Sequence, residues 1–414
     1  MIQSVKAALY LHFPYCRSRC TYCDFNAYTD GGELARSQYI EALCTDIERT
    51  GQERRYQIQT VFCGGGTPSL HSAAELARVL DTCRASFDFR PGEVTLEANP
   101  GTVSLEQLRG LRQAGFNRIS LGVQTFRSHL LERLNRIHSA HEVEQAVDWA
   151  RQAGFDNLSL DLIYGLPGQT QDDWRDTLNR ALQLSPQHLS IYQLTVEPGT
   201  HLEAQLRNRE IQLPHEDATW KMDRWVRRRL RTAGMVRYEV SNWSLPGYHA
   251  RHNMVYWKDL PYLGLGCGAT GFINGWRVRR LLHPHAYQQA IAHGAVPLAS
   301  AERRDSEGAL RDCLMMGLRT RRGVCLSSLG RRFPDLQQKT LEAFFQGLPA
   351  NWWFIRGNRL RLTSKGSDFV SSVCEEMMDV RLLQPAQPAL ADPGLSLTKN
   401  RALSGAEIAP ALAP

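Results

Sequence analysis

Short runs of β-branched and aromatic residues alternate with longer amphipathic stretches through the first two hundred residues. Because a strand, a helix and a second strand form a right-handed parallel unit, this alternation predicts one parallel sheet covered by helices. The predicted helices include residues 104–115, 140–154 and 170–184. The predicted strands are ALYLHF (8–13), IQTVFCG (58–64), EVTLEAN (93–99), NRISLGV (117–123), NLSLDLIYG (157–165) and HLSIYQL (188–194). Six such units fit a partial barrel or a doubly wound sheet, and in both folds chemistry gathers where the strands end.

The pattern changes after this alternation. Residues 215–235 predict a helix whose arginine-rich side is expected to face solvent rather than a ligand. Residues 300–375 combine helical patterns with a hairpin that leads into a helix at 357–370, which is typical of a small helical domain with a wing. The last residues are rich in proline, alanine and small polar side chains, which predicts a disordered tail. We therefore expect units at 1–215, 216–299, 300–383 and 384–414.

Composition narrows the class of protein. Hydrophobic residues make up 43% and charged residues 22%, which suits a folded globular chain rather than a disordered one. The net charge of +7 permits an anionic ligand or nucleic acid without requiring either. Seven of the ten cysteines are scattered, which is typical of a reducing compartment. Neither a signal peptide nor a membrane span of ~18 apolar residues is indicated, so the cytoplasm is the expected location.

Three cysteines, Cys16, Cys20 and Cys23, follow the first predicted strand with the spacing C-x3-C-x2-C. A disulfide framework uses an even number of cysteines, and a structural zinc site uses four ligands. Three thiolates on one short loop can instead hold three irons of a [4Fe–4S] cluster and leave the fourth iron open to a small molecule. A zinc loop with a distant fourth ligand and a set of unrelated thiols stay open as alternatives.

Glycine and polar residues come directly after the other predicted strands. FCGGGTPSL (62–70) places three glycines after the second strand, where backbone N–H groups can approach an anionic ligand closely. Glu97, Gln124 and Asp161 come at the ends of the next three strands. Each of these features alone is more often structural. Because parallel strands end at one rim, together they place a glycine turn, two carboxylates and an amide beside the cysteines.

In this combination the sequence resembles the radical S-adenosylmethionine superfamily, and within it the oxygen-independent coproporphyrinogen III oxidase group, over roughly residues 8–375. The resemblance implies an α/β fold, a partial (β/α)6 TIM-like barrel with a mixed helical and winged C-terminal domain. It also implies that the three cysteines bind a [4Fe–4S] cluster whose open iron is chelated by S-adenosylmethionine. Residues that would contact this cofactor are Tyr10, Tyr22, Gly64, Gly65, Gly66, Thr67, Glu97, Gln124, Arg136, Asp161 and Ile163.

Three features resemble the haem-chaperone branch of this group more than the oxidase. The oxidase pattern has further cysteines after the cluster motif and a long extension before it, whereas here Cys23 is followed by DFNAY and one strand precedes Cys16. The segment RHNMVYW (251–257) matches the H-N-x-x-Y-W pattern of that branch. His252 is therefore the candidate haem ligand, since neutral imidazole binds haem iron. A buried, hydrogen-bonded histidine is the alternative reading. The thiol of Cys267 is a second candidate ligand, although a cysteine in this setting is more often a buried small residue.

The leading hypothesis is a haem chaperone that binds haem, a [4Fe–4S] cluster and S-adenosylmethionine. The resemblance implies delivery of haem to membrane-bound respiratory proteins, with peripheral contact at the membrane, and a homodimer favoured by the cluster. Oxidative decarboxylation of coproporphyrinogen III is the second hypothesis. A nucleic-acid-modifying radical protein, suggested by the wing and by the arginines at 224–231, is less favoured. Whether S-adenosylmethionine is cleaved stays open, and Thr270 departs from the histidine that the branch commonly has there.

Overall fold

The computed structural model describes residues 4–29 and 31–384, so the predicted disordered tail lies outside the described residues from 385 onward. The strands are β1 (Val5–Phe13), β2 (Tyr15–Cys16), β3 (Tyr28–Thr29), β4 (Tyr56–Gly65), β5 (Asp88–Ala98), β6 (Arg118–Gln124), β7 (Leu158–Tyr164), β8 (His188–Gln193), β9 (Val236–Arg237), β10 (Asn242–Ser244), β11 (Tyr262–Leu265), β12 (Thr270–Ile273), β13 (Trp276–Arg280), β14 (Leu298–Arg303), β15 (Val324–Cys325), β16 (Trp353–Arg356) and β17 (Arg359–Leu362).

The α-helices are α1 (Glu33–Glu53), α2 (Ala73–Ser86), α3 (Leu105–Ala114), α4 (Ser128–Arg133), α5 (Ala140–Gln152), α6 (Gln171–Gln183), α7 (His201–Arg207), α8 (Glu216–Thr232), α9 (Asn253–Trp257), α10 (Pro284–Ala292), α11 (Ser306–Leu318), α12 (Leu326–Arg332), α13 (Gln338–Gly347) and α14 (Val370–Met378). The three helices predicted from the alternation form as α3, α5 and α6. None of the helices in the described ranges is long and apolar enough to cross a membrane.

One sheet of twelve strands organises the described chain, in the spatial order β14-β13-β12-β11-β1-β4-β5-β6-β7-β8-β10-β9. The seven strands from β11 to β8 are parallel, and the outer strands on both sides pair antiparallel. All six predicted strands lie in the parallel part, and β11 is a seventh that the sequence did not indicate. The two edge strands, β14 and β9, do not pair with each other within the described chain. The fold is therefore a partial barrel, as predicted.

The parallel strands carry apolar side chains on one face and mostly polar side chains on the other. In β6, Ile119, Leu121 and Val123 belong to the main hydrophobic core, whereas Arg118 and Ser120 line a cleft on the opposite face. A parallel strand with an apolar layer on both faces would be apolar throughout, so the alternation reveals a polar barrel interior. The polar face of the neighbouring strands consists of Glu93, Thr95 and Glu97 in β5, Ser159 and Asp161 in β7, and His188, Ser190 and Tyr192 in β8.

Side-chain caps begin the helices that follow the strands. Ser72, Ser139 and Thr170 each start a helix with a capping box, in which the cap side chain and the third helical residue satisfy each other's backbone N–H groups. Helix α3 ends at Gly115, whose φ of 108° favours glycine. These local signals fix the turns between strand and helix, and the functional residues lie at those turns.

A second hydrophobic core, which runs from Leu310 to Leu383, lies in a C-terminal unit. Helices α11 to α14 surround a three-stranded antiparallel sheet in the order β15-β17-β16. This is the predicted helical domain with a wing. Its hairpin begins at Trp353, earlier than the predicted residue 357, because the turn itself lies at Gly357, whose φ is 58°. The boundaries proposed for the four units stay predictions.

Three of the five arginines of α8 are exposed, and Arg227 and Arg229 are partly buried. Arg224, Arg228 and Arg231 are exposed, as predicted for a solvated face. The side chain of Arg227 is only 18% exposed and pairs with Asp223 of its own helix and Asp368 of the C-terminal unit. Its Nε lies 2.7 Å from the carboxylate of Asp223. Arg227 thus joins the barrel to the C-terminal unit, a role that its sequence pattern did not indicate.

Candidate functional site

The carboxyl ends of β4 to β7 and the cysteine loop surround a cleft of about 760 Å³ that is open to solvent. We call it the cysteine cleft. The structure brings together most of the residues predicted from the sequence. Those that line this cleft are Cys16, Cys20, Tyr22, Cys23, Gly65, Gly66, Thr67, Glu97, Gln124, Arg136 and Asp161. Gly64, Tyr10, Ile163 and His252 are the predicted residues that lie elsewhere.

The cysteine loop leaves the barrel at β2 and returns at β3, which pair with each other. Thr21 anchors the loop: its N–H donates to the carbonyl of Leu134 at 3.2 Å, and its carbonyl accepts from the N–H of Leu202 at 2.8 Å. Because the two ends and the middle of the loop are held, the three cysteines face the same cleft. All ten cysteines of the chain are free of disulfides.

Polar groups of the barrel contact the cysteine sulfur atoms. The hydroxyl of Thr67 donates to Cys16 Sγ at 3.3 Å, and Nη1 of Arg136 donates to Cys20 Sγ at 3.3 Å. Burial raises the pKa of the Cys23 thiol to about 11 and also raises that of Cys16. A cation that binds these thiols must therefore displace their protons. Among the described residues, no three His, Cys, Asp or Glu side chains are arranged to hold a single metal ion.

The glycine turn after β4 presses the backbone against its neighbours. Gly65 has a φ of 115°, and its N–H donates to Oε2 of Glu97 at 3.1 Å. A Cβ on Gly66 would lie 2.8 Å from the carbonyl oxygen of Pro14, and one on Gly64 would lie 2.9 Å from Oε2 of Glu97. Real Cβ atoms do not approach backbone so closely, so position 66 requires glycine, and the positive φ of Gly65 favours glycine as well. The turn brings the cleft wall, Glu97 and the start of the cysteine loop together.

Two carboxyl groups lie close together on the barrel floor. Burial, and then the charge of Asp161, raises the pKa of Glu97 to about 7. Burial also raises the pKa of Asp161, although its carboxylate accepts a hydrogen bond from the hydroxyl of Ser120 at 3.0 Å. Near neutral pH, Glu97 can therefore either accept from hydroxyl and amino groups of a ligand or donate its own proton.

Glu97→Gln is expected to change the pH dependence of stability. The folded protein keeps the Glu97 proton up to about pH 7, whereas the unfolded chain loses it near the ordinary value of 4.5. The contribution of Glu97 to stability is thus complete below about pH 4.5 and is lost as the pH rises through 7. Glutamine has no proton to lose and can still accept from Gly65. From pH 4.5 to pH 8, the free energy of unfolding of the variant relative to the native chain should rise by about 3 kcal/mol.

Urea denaturation of the full chain at the two pH values measures this difference. Glu142→Gln is a control of opposite sign, because hydrogen bonds from the backbone N–H of Ser139 lower the pKa of Glu142. Relative to the native chain, that variant should lose stability as the pH rises. A Glu97→Gln difference that does not vary with pH would contradict the assignment.

A second cleft, of about 600 Å³, opens on the polar barrel interior. We call it the histidine cleft. It shares Glu97, Ser120 and Asp161 with the cysteine cleft, so the two are neighbours. Its lining consists of Phe62, Glu97, Arg118, Ser120, Asp161, His188, Ser190, Tyr192, Asn242, Ala250, His252, Asn253 and Tyr256. Aromatic, cationic and hydrogen-bonding side chains are thus combined beside the cysteine cleft.

His252 lies in the wall of this cleft and is only 1% exposed. Its Nδ1 is 2.9 Å from the Thr60 hydroxyl, its Nε2 is 2.8 Å from the Tyr256 hydroxyl, and its ring stacks on Phe62 at 5.3 Å between centroids. Burial, and then the charge of Arg118, lowers the pKa of His252 to about 3, so the imidazole is neutral at pH 7. This matches the alternative reading of a buried, hydrogen-bonded histidine. To bind iron, Nε2 must lose the Tyr256 hydroxyl.

The remaining predicted residues lie behind the cleft walls or apart from them. The hydroxyl of Tyr10 hydrogen-bonds Nδ1 of His12 at 2.9 Å, and Ile163 packs in a small apolar cluster with partly buried Tyr22 against it. Cys267 is fully buried and Thr270 begins β12, and neither belongs to the lining of the two clefts.

Sequence reasoning missed several residues of the histidine cleft. Arg118, Ser120, His188, Ser190 and Asn242 line it, and none was predicted. A signal was present, since the polar residues of RISLGVQ and HLSIYQ fall at alternate positions, as the side chains of one strand face do. The β-branched and aromatic content of the segments indicates strands and does not show which residues share a face.

Comparison with known proteins agrees with this arrangement. The model of the radical SAM superfamily matches residues 10–181. The heme chaperone HemW of Haemophilus influenzae is 40% identical over 291 residues, which are 68% of this chain and 75% of that protein. The heme chaperone HemW of Mycobacterium tuberculosis is 35% identical over 374 residues, 89% of this chain and 94% of that protein.

A solved structure supports the fold. Coproporphyrinogen III oxidase (HemN) from Escherichia coli, a radical SAM enzyme, superposes with a TM-score of 0.78 at 22% identity and covers 90% of each chain. At this identity the match confirms the partial barrel and not the activity. The identity to the curated relatives is higher and spans most of their length. This chain therefore belongs to the family of the heme chaperone HemW, within the radical SAM superfamily.

Proposed function

We propose that this protein is a haem chaperone that holds haem next to a [4Fe–4S] cluster and S-adenosylmethionine. One observation carries the proposal: the cysteine cleft and the histidine cleft share Glu97, Ser120 and Asp161. A cofactor in the first cleft and a porphyrin in the second would therefore lie side by side. The names of the curated relatives, which are haem chaperones, support the same conclusion.

The cysteine cleft fits an iron–sulfur cluster with one open iron. Cys16, Cys20 and Cys23 would each bind a different iron, so their sulfur atoms need a common cleft and not a common point. When bound, the cluster would supply electrons to the S-adenosylmethionine on its open iron. The guanidinium of Arg136, which donates to Cys20 Sγ, would offset the negative charge of the thiolates.

S-adenosylmethionine would lie between the glycine turn and the two carboxyl groups. The turn at Gly65 and Gly66 presents backbone to the cleft, and Glu97, Gln124 and Asp161 offer acceptors for amino and ribose hydroxyl groups. These side chains come from neighbouring strands. A hydrogen bond from Gly65 holds Glu97, and one from Ser120 holds Asp161. The roles of Tyr10, Tyr22, Thr67 and Ile163 in this contact stay predictions.

Haem is proposed as the cargo of the histidine cleft. Phe62, Tyr192 and Tyr256 offer aromatic surface for a macrocycle, and His252 offers a neutral imidazole. Because the Nε2 atom already contacts the hydroxyl of Tyr256 at 2.8 Å, that hydroxyl would have to move when iron binds. We further propose, from the resemblance alone, that the recipients are membrane-bound respiratory proteins and that the cluster favours a homodimer.

Anaerobic reconstitution followed by a haem titration tests the proposal. The full chain, reconstituted with iron and sulfide, is expected to hold about four irons and four sulfides. Added haem should then give a saturable change in absorption. Zinc or no metal in oxygen-free preparations would contradict the cluster, and a linear, unsaturable haem titration would contradict the cargo.

Coproporphyrinogen III distinguishes the chaperone from the enzyme. The reconstituted protein, incubated anaerobically with coproporphyrinogen III, S-adenosylmethionine and a reductant, is expected to leave the substrate unchanged. The measurement is chromatography of the porphyrins after oxidation. Protoporphyrinogen in the product would overturn the chaperone assignment in favour of oxidative decarboxylation.

A further inference from the structure

Arg118 is a buried cation without a partner in the described part of the chain. Arg118 is 2% exposed, and its Nε atom is buried. Its guanidinium forms neither a hydrogen bond nor an ion pair with a described residue. Other well-buried arginines are paired: Arg280 lies 3.0 Å from a carboxylate oxygen of Asp46, and Arg304 lies 3.0 Å from one of Asp259. Leaving a guanidinium unpaired in the interior is costly, so its position calls for an anion.

Arg118 lies beside other buried polar groups at the histidine cleft. Arg118 belongs to the lining of that cleft, and so does Asn242, whose buried Oδ1 also has no partner. On the neighbouring strand, Thr95 pairs in register with Arg118 and has a buried hydroxyl without a partner. Three polar groups with unused hydrogen-bonding capacity thus lie in this part of the barrel interior, and one of them carries a full positive charge.

The charge balance of the cleft selects the kind of anion. Glu97 and Asp161 line the same cleft, and neither carboxyl group lies within 4.0 Å of the Arg118 guanidinium. Burial raises the pKa of both carboxyl groups, and the positive charge of Arg118 opposes that effect. Their own negative charge disfavours a doubly charged phosphate. A single carboxylate suits the planar fork of arginine, which can donate two parallel hydrogen bonds to it.

We propose that Arg118 anchors a carboxylate of the ligand that occupies the histidine cleft. The inference rests on the proposed function, because two ligands of that function carry carboxylates: haem through its propionates and S-adenosylmethionine through its methionyl group. A haem propionate in this position would tie the edge of the macrocycle to β6. The methionyl carboxylate is the competing source, and it would have to turn from the open iron in the cysteine cleft towards Arg118 in the histidine cleft.

Binding measurements with carboxylate-free analogues test this role. Haem, haem dimethyl ester, S-adenosylmethionine and its decarboxylated analogue are titrated into the anaerobically reconstituted full chain and into Arg118→Gln. The variant is expected to bind haem at least about tenfold more weakly and the dimethyl ester as tightly as the native chain does. If S-adenosylmethionine is weakened instead and its decarboxylated analogue is not, the carboxylate belongs to the nucleotide. Equal losses for an acid and its carboxylate-free analogue, or no loss for either ligand, would overturn the proposal.

A second variant keeps the test decisive if Arg118→Gln does not fold. Arg118→Lys retains the positive charge but cannot donate two parallel hydrogen bonds. The variant should therefore keep part of the difference in affinity between the ligand with a carboxylate and its carboxylate-free analogue. A purely structural role would lower the melting temperature of both variants and leave that difference unchanged. If the native chain does not bind haem at all, the proposed function fails, and the S-adenosylmethionine pair alone decides the role of Arg118.

Discussion

Cys20→Ala is expected to abolish the [4Fe–4S] cluster. Cys20 sits in the middle of the anchored loop, and its sulfur accepts from Arg136 at 3.3 Å. The variant would leave the cluster with only two protein ligands, since the fourth iron has none, and two ligands are too few to bind it. The change would also remove the thiolate that offsets the charge of Arg136. Iron and sulfide contents should fall to near zero after anaerobic reconstitution, and the cluster absorption should disappear with them. Cys16→Ala and Cys23→Ala should behave in the same way.

Cys325→Ala is the matched control for the cluster variants. Cys325 is a half-buried cysteine of the C-terminal unit and lines neither cleft, so its removal tests the loss of a thiol as such. This variant should retain the full iron and sulfide content. If Cys20→Ala reconstitutes as well as Cys325→Ala does, the three-cysteine loop is not the cluster site, and the cysteine cleft needs another ligand.

His252→Ala is expected to weaken haem binding by at least about 100-fold, since losing a group that only orients a metal ligand already costs about 10–100-fold. The change removes the proposed imidazole ligand and leaves the hydroxyls of Thr60 and Tyr256 without their partner. A titration of the reconstituted chain with haem measures the affinity, and the absorption spectrum reports the change of iron ligand. An unchanged titration would place the haem elsewhere.

Two conservative variants separate ligation from packing at His252. Tyr256→Phe keeps the ring and frees Nε2, so haem should bind as tightly as in the native chain, or more tightly, if His252 is the ligand. Thr60→Val removes the partner of Nδ1, which should perturb the ring orientation and weaken binding modestly. If His252 only packs, both variants should lose stability and leave the haem affinity unchanged.

The stability of the His252 variant also has a predicted pH dependence. The folded pKa of about 3 lies below the ordinary value of 6.5, so the unfolded chain gains a proton at a higher pH than the folded chain does. The stability that neutral His252 contributes is therefore present above pH 6.5 and is lost as the pH falls through 3. The His252→Ala chain lacks this dependence. Urea denaturation at pH 7 and pH 5 should thus show a smaller pH effect in the variant.

The fold was predictable to the extent that it depends on local patterns. The six strands and the capped helices α3, α5 and α6 follow from periodicity and capping, because side-chain spacing along the chain decides which face is buried. The short strand β11 was not predictable in the same way. It joins β1 from far along the chain, and YLGL by itself has too few residues to mark a strand.

The residues themselves determined the cysteine cleft, and only the tertiary structure decided the histidine cleft. C-x3-C-x2-C, the glycine turn and the polar strand ends are contiguous signals, and parallel strands must bring them to one rim. The two hydrogen bonds of His252 and the unpaired state of Arg118 depend on side chains that lie on separate strands and helices. Such contacts arise when the strands and helices pack together, since burial and hydrogen-bond partners are properties of the packed chain and not of any single segment.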